Sequence, residues 1–132
     1  MGYWQSINDH CFSIPKDKIQ AIFAEAQMEG SGIEEAYYST VMPSQRSILT
    51  LGNWELMIYP DKDVVTDLLL DCDRSCDSDE AVMALIAKYN TEDGAFVWMD
   101  GEGHDQWKWF FIGGKAVMVW PEIYWPEPVV RE

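Results

Sequence analysis

Residues 94–125, GAFVWMDGEGHDQWKWFFIGGKAVMVWPEIYW, decide the fold. Three runs rich in aromatic and β-branched residues, Ala95 to Met99, Gln106 to Ile112 and Lys115 to Trp120, are parted by Asp100-Gly101-Glu102-Gly103 and by Gly113-Gly114. That spacing predicts a three-stranded antiparallel meander. Gly-Gly tolerates positive φ at both positions, so a two-residue turn sets Phe111 opposite Ala116, Trp109 opposite Met118 and Trp107 opposite Trp120, all on one face. If Asp100 lies opposite Asp105, Phe96 and Trp98 join them. The other face then carries Lys108, Phe110, Ile112, Val117 and Val119, which is still mostly apolar. A sheet apolar on both sides needs helices over at least one, and the other is open to a partner. One more residue in the first loop turns the whole first strand over.

Outside this stretch the composition sets limits. A chain of 132 residues is long enough for one core and short for two, so one domain over 1–132 is expected. With 48% hydrophobic and 14% aromatic residues, the chain has the means to bury a core despite its charge. No run of about 18 apolar residues suits a membrane span, and the N-terminus lacks a secretion pattern, so the expected location is cytoplasmic. Three cysteines, Cys11, Cys72 and Cys76, fit a reducing compartment better than a disulfide framework. The formal charge of −14 opposes direct contact with nucleic-acid backbone or anionic lipid and favours a basic protein partner. The same charge also keeps a tryptophan-rich protein in solution.

Along the chain, a strand is expected near Cys11 to Ile14, and Pro15 opens a helix striped by Ile19, Ile22, Phe23 and Ala26. Gly30 and Gly32 end it. Ile33 to Met42 suits either helix or strand, and Pro43 closes it. Ser44 is read as the cap of a short helix carrying Ile48, Leu49 and Leu51, stopped by Gly52-Asn53. Trp54 to Tyr59 and Val64 to Leu70 flank a Pro60-Asp61-Lys62-Asp63 hairpin turn. Asp77 with Glu80 resembles a capping box for a second helix, striped by Val82, Leu85, Ile86 and Tyr89. The tail from Pro126 to Glu132 is expected to fray. The fold class predicted is α+β: one curved antiparallel sheet of about five or six strands, with two main amphipathic helices on one face.

Sites for chemistry are sparse. Leu68-Leu-Leu-Asp71-Cys-Asp73 resembles the strand-then-D-x-D motif of haloacid dehalogenase phosphoryl-transfer enzymes, in which one carboxylate attacks and the other handles a proton. Arg74-Ser75 stands where that family has Gly-Thr, and too little chain follows for its parallel sheet. Asp71, Asp73 and Ser75 also sketch a calcium loop, but Cys76 replaces the needed Gly and Val82 the closing Glu. Cys72 and Cys76 with Cys11, His10 and His104 do not have the spacing of zinc knuckles. His104, beside Glu102 and Asp105, has no nucleophile nearby in sequence. Neither a cofactor nor a metal is expected.

Gly101-Glu-Gly-His-Asp-Gln-Trp107-Lys-Trp109-Phe-Phe111-Ile-Gly-Gly114-Lys115, following an amphipathic helix, resembles a group of small acidic bacterial and phage proteins with a G-E-D-G, W-x-W-x-F, G-K hairpin. The likeness spans roughly 47–125 and implies an α+β layout with no site attached. His104-Asp105 departs from the plain Asp-Gly turn of that pattern.

Charge and size together point to a non-enzymatic module that inhibits or neutralises a basic, nucleic-acid-binding partner. A nucleic-acid mimic of the phage counter-defence kind or an immunity protein for a nuclease toxin would fit. On that reading Asp61, Asp63, Asp71, Asp73, Asp77, Asp79, Glu92, Asp93, Glu102 and Asp105 imitate phosphates, and exposed Trp or Tyr side chains anchor the contact. The alternatives are a small hydrolase or metal-dependent enzyme using Asp71, Asp73 or His104, and an accessory subunit whose second sheet face packs on a copy of itself as a homodimer.

Overall fold

The computed structural model describes residues 4–41, 45–71 and 77–121. Among them the C-terminal meander is present as β8 (Phe96–Gly101), β9 (Gln106–Ile112) and β10 (Lys115–Val119). Gly113 and Gly114 turn the second hairpin with φ of 59° and 78°, the left-handed backbone that glycine adopts without a Cβ clash. Phe111 lies opposite Ala116 and Trp109 opposite Met118, as the two-residue turn requires. The ladder stops with Val119 opposite Lys108, so the expected Trp107–Trp120 pair is not part of it.

The first hairpin corrects the sequence reading. Asp100 pairs with Gln106, not Asp105. Gly103 and His104 take two consecutive left-handed conformations at φ 64° and 67°, and Gly101 N–H donates to the Asp105 carbonyl at 2.8 Å. The turn therefore holds one residue more than expected. Phe96 and Trp98 move to the outer face, opposite Phe110 and Lys108, while Val97 and Met99 face inward beside Trp109 and Trp107.

β1 (Gln5–Cys11) adds to β8 with a bulge between Ile7 and Asp9, giving a sheet in the order β1-β8-β9-β10. A second sheet runs β3 (Ala36–Val41), β4 (Arg46–Leu51), β5 (Trp54–Ile58) and β7 (Asp67–Leu70), all antiparallel. β2 (Ile14–Pro15) pairs with β6 (Val64–Val65) as a short clasp. Among the described residues there are thus ten strands in three sheets, not one curved sheet of five or six. Two splits and two misreadings account for the shortfall: the strand expected near Cys11 to Ile14 is β1 and β2, with residues 12 and 13 between them, and Val64 to Leu70 is β6 and β7. Residues 46–51 form β4 and not a capped helix, because Leu49 and Leu51 alternate with Ile48 and Thr50 at strand period and Gly52-Asn53 closes a hairpin. The ambiguous segment after Gly32 resolves as β3, the β-branched and tyrosine side chains outweighing Glu34 and Glu35. Between the two larger sheets, β1 and β7 come close without pairing. Strand twist accumulates across a sheet, and a seam there lets each four-stranded half keep its own helix.

The helices cover the inner faces. After a 3-10 turn at Lys16–Lys18, α1 (Ile19–Gln27) buries Ile19, Ile22 and Ala26 and packs on β3 and β4. α2 (Asp79–Tyr89) starts after Ser78, later than the expected Asp77 cap, and buries Val82, Met83, Ile86 and Ala87 against β2, β9 and β10. Glu25 accepts hydrogen bonds from Lys88 Nζ and Tyr89 Oη, which clasps the two helices at the surface. The Lys88 bond first, and the Tyr89 bond second, hold the Glu25 carboxyl below its ordinary range. That contribution is present above the unfolded carboxylate range and is lost as acid protonates Glu25. One contiguous apolar cluster joins both helices to all three sheets, from Ile14 and Val65 in the clasp to Leu49, Leu56, Met83, Val97 and Trp109. No helix among the described residues is long and apolar enough to cross a membrane.

Candidate functional site

The sheet β1-β8-β9-β10 has two unlike faces, because alternation sends successive side chains to opposite sides. Inward, Val97, Met99, Trp107, Trp109 and Phe111 lie under α2 and are buried. Outward, cross-strand rows run Cys11–Phe96–Phe110–Val117 and Asp9–Trp98–Lys108–Val119. No described element covers this face. Ile112 keeps 64% and Trp120, just past β10, 54% of its surface in contact with solvent.

Lys108 sits at the centre of the outer face. Its ammonium lies 4.8 Å from the ring centre of Trp98, 5.1 Å from Phe96 and 5.8 Å from Phe110. Each ring face carries the negative lobe of its quadrupole and attracts a cation at such range. Beside it runs a groove of about 340 Å³ lined by Trp98, Gln106, Lys108, Phe110, Val119 and Trp120. One rim is polar: Asp100 accepts from Asn8 Nδ2 and from Gln106 Nε2, both at 2.8 Å, tying β1, β8 and β9 together. The sequence shows Lys108, Phe110, Val117 and Val119 on this face, but the turn length hides that Phe96 and Trp98 complete it. The available signal is Gly103-His104, since glycine and, less often, histidine accept left-handed backbone.

The candidate carboxylates divide between two ends of the molecule. The starts of α2, β1 and β5 meet where Asp79 accepts from Gln5 and Trp54, and they define the first end. Asp71 is there, its N–H donating to the Asn53 carbonyl at 2.8 Å, and so are exposed Asp77 and half-buried Asp79. Glu102 and Asp105, on the exposed turn after β8, are at this end too, with Glu102 accepting from Trp4 N at 2.9 Å. At the opposite end, Lys16 N–H donates to the Asp63 carbonyl, and the loop after α2 that carries Glu92 and Asp93 is held by Ser13 through Asn90 and Thr91. Asp61, Asp63, Glu92 and Asp93 are exposed there. Asp73, Cys72 and Cys76 lie outside the described residues, as do Ser44 and the tail 126–132.

Asp79 differs from the others. Its Oδ1 accepts from Trp54 Nε1 at 2.9 Å and its Oδ2 from Gln5 Nε2 at 3.0 Å, so both oxygens are committed inside the fold. Asp71 has a close neighbour absent from the sequence reading, Glu55 on β5. Burial first, then the charge of Asp71 and a hydrogen bond with it, push the Glu55 carboxyl above its ordinary range, and Arg46 opposes them only weakly. The register that puts Glu55 on the outer side of β5 is visible only once β4 is known to be a strand. A carboxyl with a raised folded pKa favours folding below the ordinary carboxyl range, and that favour fades as pH climbs through the raised value. Glu55→Gln is therefore expected to raise Tm by about 2–4 °C at pH 7 and to leave it unchanged near pH 4, in paired thermal melts. A destabilised variant at pH 7 would mean that the ionised pair is well solvated.

His104 is exposed on the β8–β9 turn, and Cys11 is an exposed free thiol on the outer face. Among the described residues no three His, Cys, Asp or Glu side chains converge as a metal site requires. Compared with protein-family models, curated proteins and solved structures, the chain matches none of them.

Proposed function

We propose that the protein is a non-enzymatic acidic binding module that neutralises a basic, nucleic-acid-binding partner, as a nucleic-acid mimic of the phage counter-defence kind or a toxin immunity protein does. The supporting observation is the aromatic face of β8, β9 and β10, which no described element covers, set between two ends that carry exposed carboxylates. Such a face suits a protein partner: aromatic side chains give the centre of an interface its affinity, and charged rims set its rate and specificity. A net charge of −14 selects a partner of opposite sign.

The test is capture from the source cells followed by competition. The captured protein is expected to be basic, and added module should displace nucleic acid from it. Its affinity for the module should fall by about ten-fold or more between roughly 50 and 500 mM salt, as screening shortens the reach of exposed charges. Recovery of only neutral or acidic proteins without a nucleic-acid site, or an affinity indifferent to salt, would end this reading.

A further inference from the structure

Lys108 is an anomaly in this chain. Among the described residues Lys62 and Lys88 each lie over a single ring, Tyr59 and Tyr89, whereas Lys108 lies over three, Trp98, Phe96 and Phe110. Among the described residues these rings are the partners of half-buried Lys108, and a site of that chemistry would suit any cation of similar reach. The adjoining groove of about 340 Å³ is within the ~300–1,000 Å³ typical of ligand sites and is walled by Trp120 and Val119.

We propose that this ring cluster is the receptor for an arginine side chain on an extended segment of the basic partner, and that Lys108 is its placeholder in the free protein. The proposal rests on the binding-module reading above and names its central contact. Arginine is favoured over lysine because its planar guanidinium stacks on aromatic faces and is more weakly hydrated. Charge complementarity favours such a segment over a second copy of the chain, which would bring another 14 negative charges to the same face. Lys108 swings away on its flexible stem as the guanidinium enters, and water replaces the rings around its ammonium. β10 pairs with no described strand on its far side, so an extended segment can lie along it while presenting alternate side chains to the groove.

The probe is an acetylated, amidated heptapeptide of alternating valine and arginine, with lysine and neutral citrulline versions as controls. Titrations at low salt are read by calorimetry and by the Lys108 side-chain proton resonances, which ring currents displace in the free protein. The arginine peptide is expected to bind best and to return the Lys108 resonances to ordinary positions. Lys108→Met, which removes the competing cation, should tighten binding by roughly three- to thirty-fold, the range that cation–π energies translate into. Lys108→Arg should not tighten it, and Trp98→Leu should weaken it by a similar factor. If Trp98→Leu lowers stability, the Lys108 pair of variants decides alone. Binding that is unmoved by Lys108→Met, or equal for arginine and citrulline, overturns the proposal. If it is then weakened by Glu92→Gln with Glu102→Gln, the acidic module survives without the ring receptor. No binding of the arginine peptide overturns the proposal as well, and leaves the module reading to the capture experiment.

Discussion

Asp79→Ala should lower the unfolding free energy by about 3 kcal/mol. The substitution strands two donors, Trp54 Nε1 and Gln5 Nε2, in side chains that are 1% and 6% exposed. A buried donor left without an acceptor costs ~1–3 kcal/mol, and loss of an acidic group from the first turn of α2 adds a few tenths. Those donors belong to different sheets, Trp54 to β5 and Gln5 to β1, so the carboxylate joins both sheets to α2. Asp79→Asn keeps one acceptor oxygen and should cost about half as much. Urea unfolding monitored by tryptophan fluorescence checks both values. A loss under about 1 kcal/mol for the alanine variant would show that water replaces the carboxylate at both donors.

A larger contrast is expected one residue apart on β8. Val97→Asp puts an unpaired carboxylate at a position with 0% exposure, between Trp109 and the underside of α2, and should cost about 4 kcal/mol or more. Trp98→Asp, on the outer face beside Lys108, should cost only about 1–1.5 kcal/mol, since it loses half-buried apolar area while giving Lys108 an opposite charge. Chemical denaturation of both variants reads the difference directly. The reverse order would place Phe96 and Trp98 inside and restore the register that the sequence suggests.

That contrast shows where reading the sequence succeeds and fails. Helices α1 and α2, the Gly113-Gly114 turn and the pairing of β9 with β10 are legible because each carries a local signal: an apolar stripe at helical period, or two adjacent glycines. The facing of β8 is not legible, since Phe96 and Trp98 are as apolar as Val97 and Met99, and alternation cannot choose between two apolar sets. Only the backbone of Gly103 and His104 decides it. β4 was hidden for a related reason. Ile48, Leu49 and Leu51 fit a short helix and a buried strand equally, and the hairpin partners that settle the matter, β3 and β5, are tertiary facts. For the candidate site, the acidic loops are readable from composition, whereas the Lys108 ring cluster and the Glu55–Asp71 neighbourhood need register and so emerge only in three dimensions.

β10 has a further consequence. Along its outer side the strand offers backbone donors and acceptors that no described strand accepts, with Val117 and Val119 exposed beside them. Such an edge is a template on which another molecule's strand can extend the sheet. At neutral pH the excess of acid opposes the approach of two such edges. Acidification toward the isoelectric point removes that opposition while leaving the template in place, so the same carboxylates that would court a basic partner also work against edge-to-edge stacking of the protein on itself.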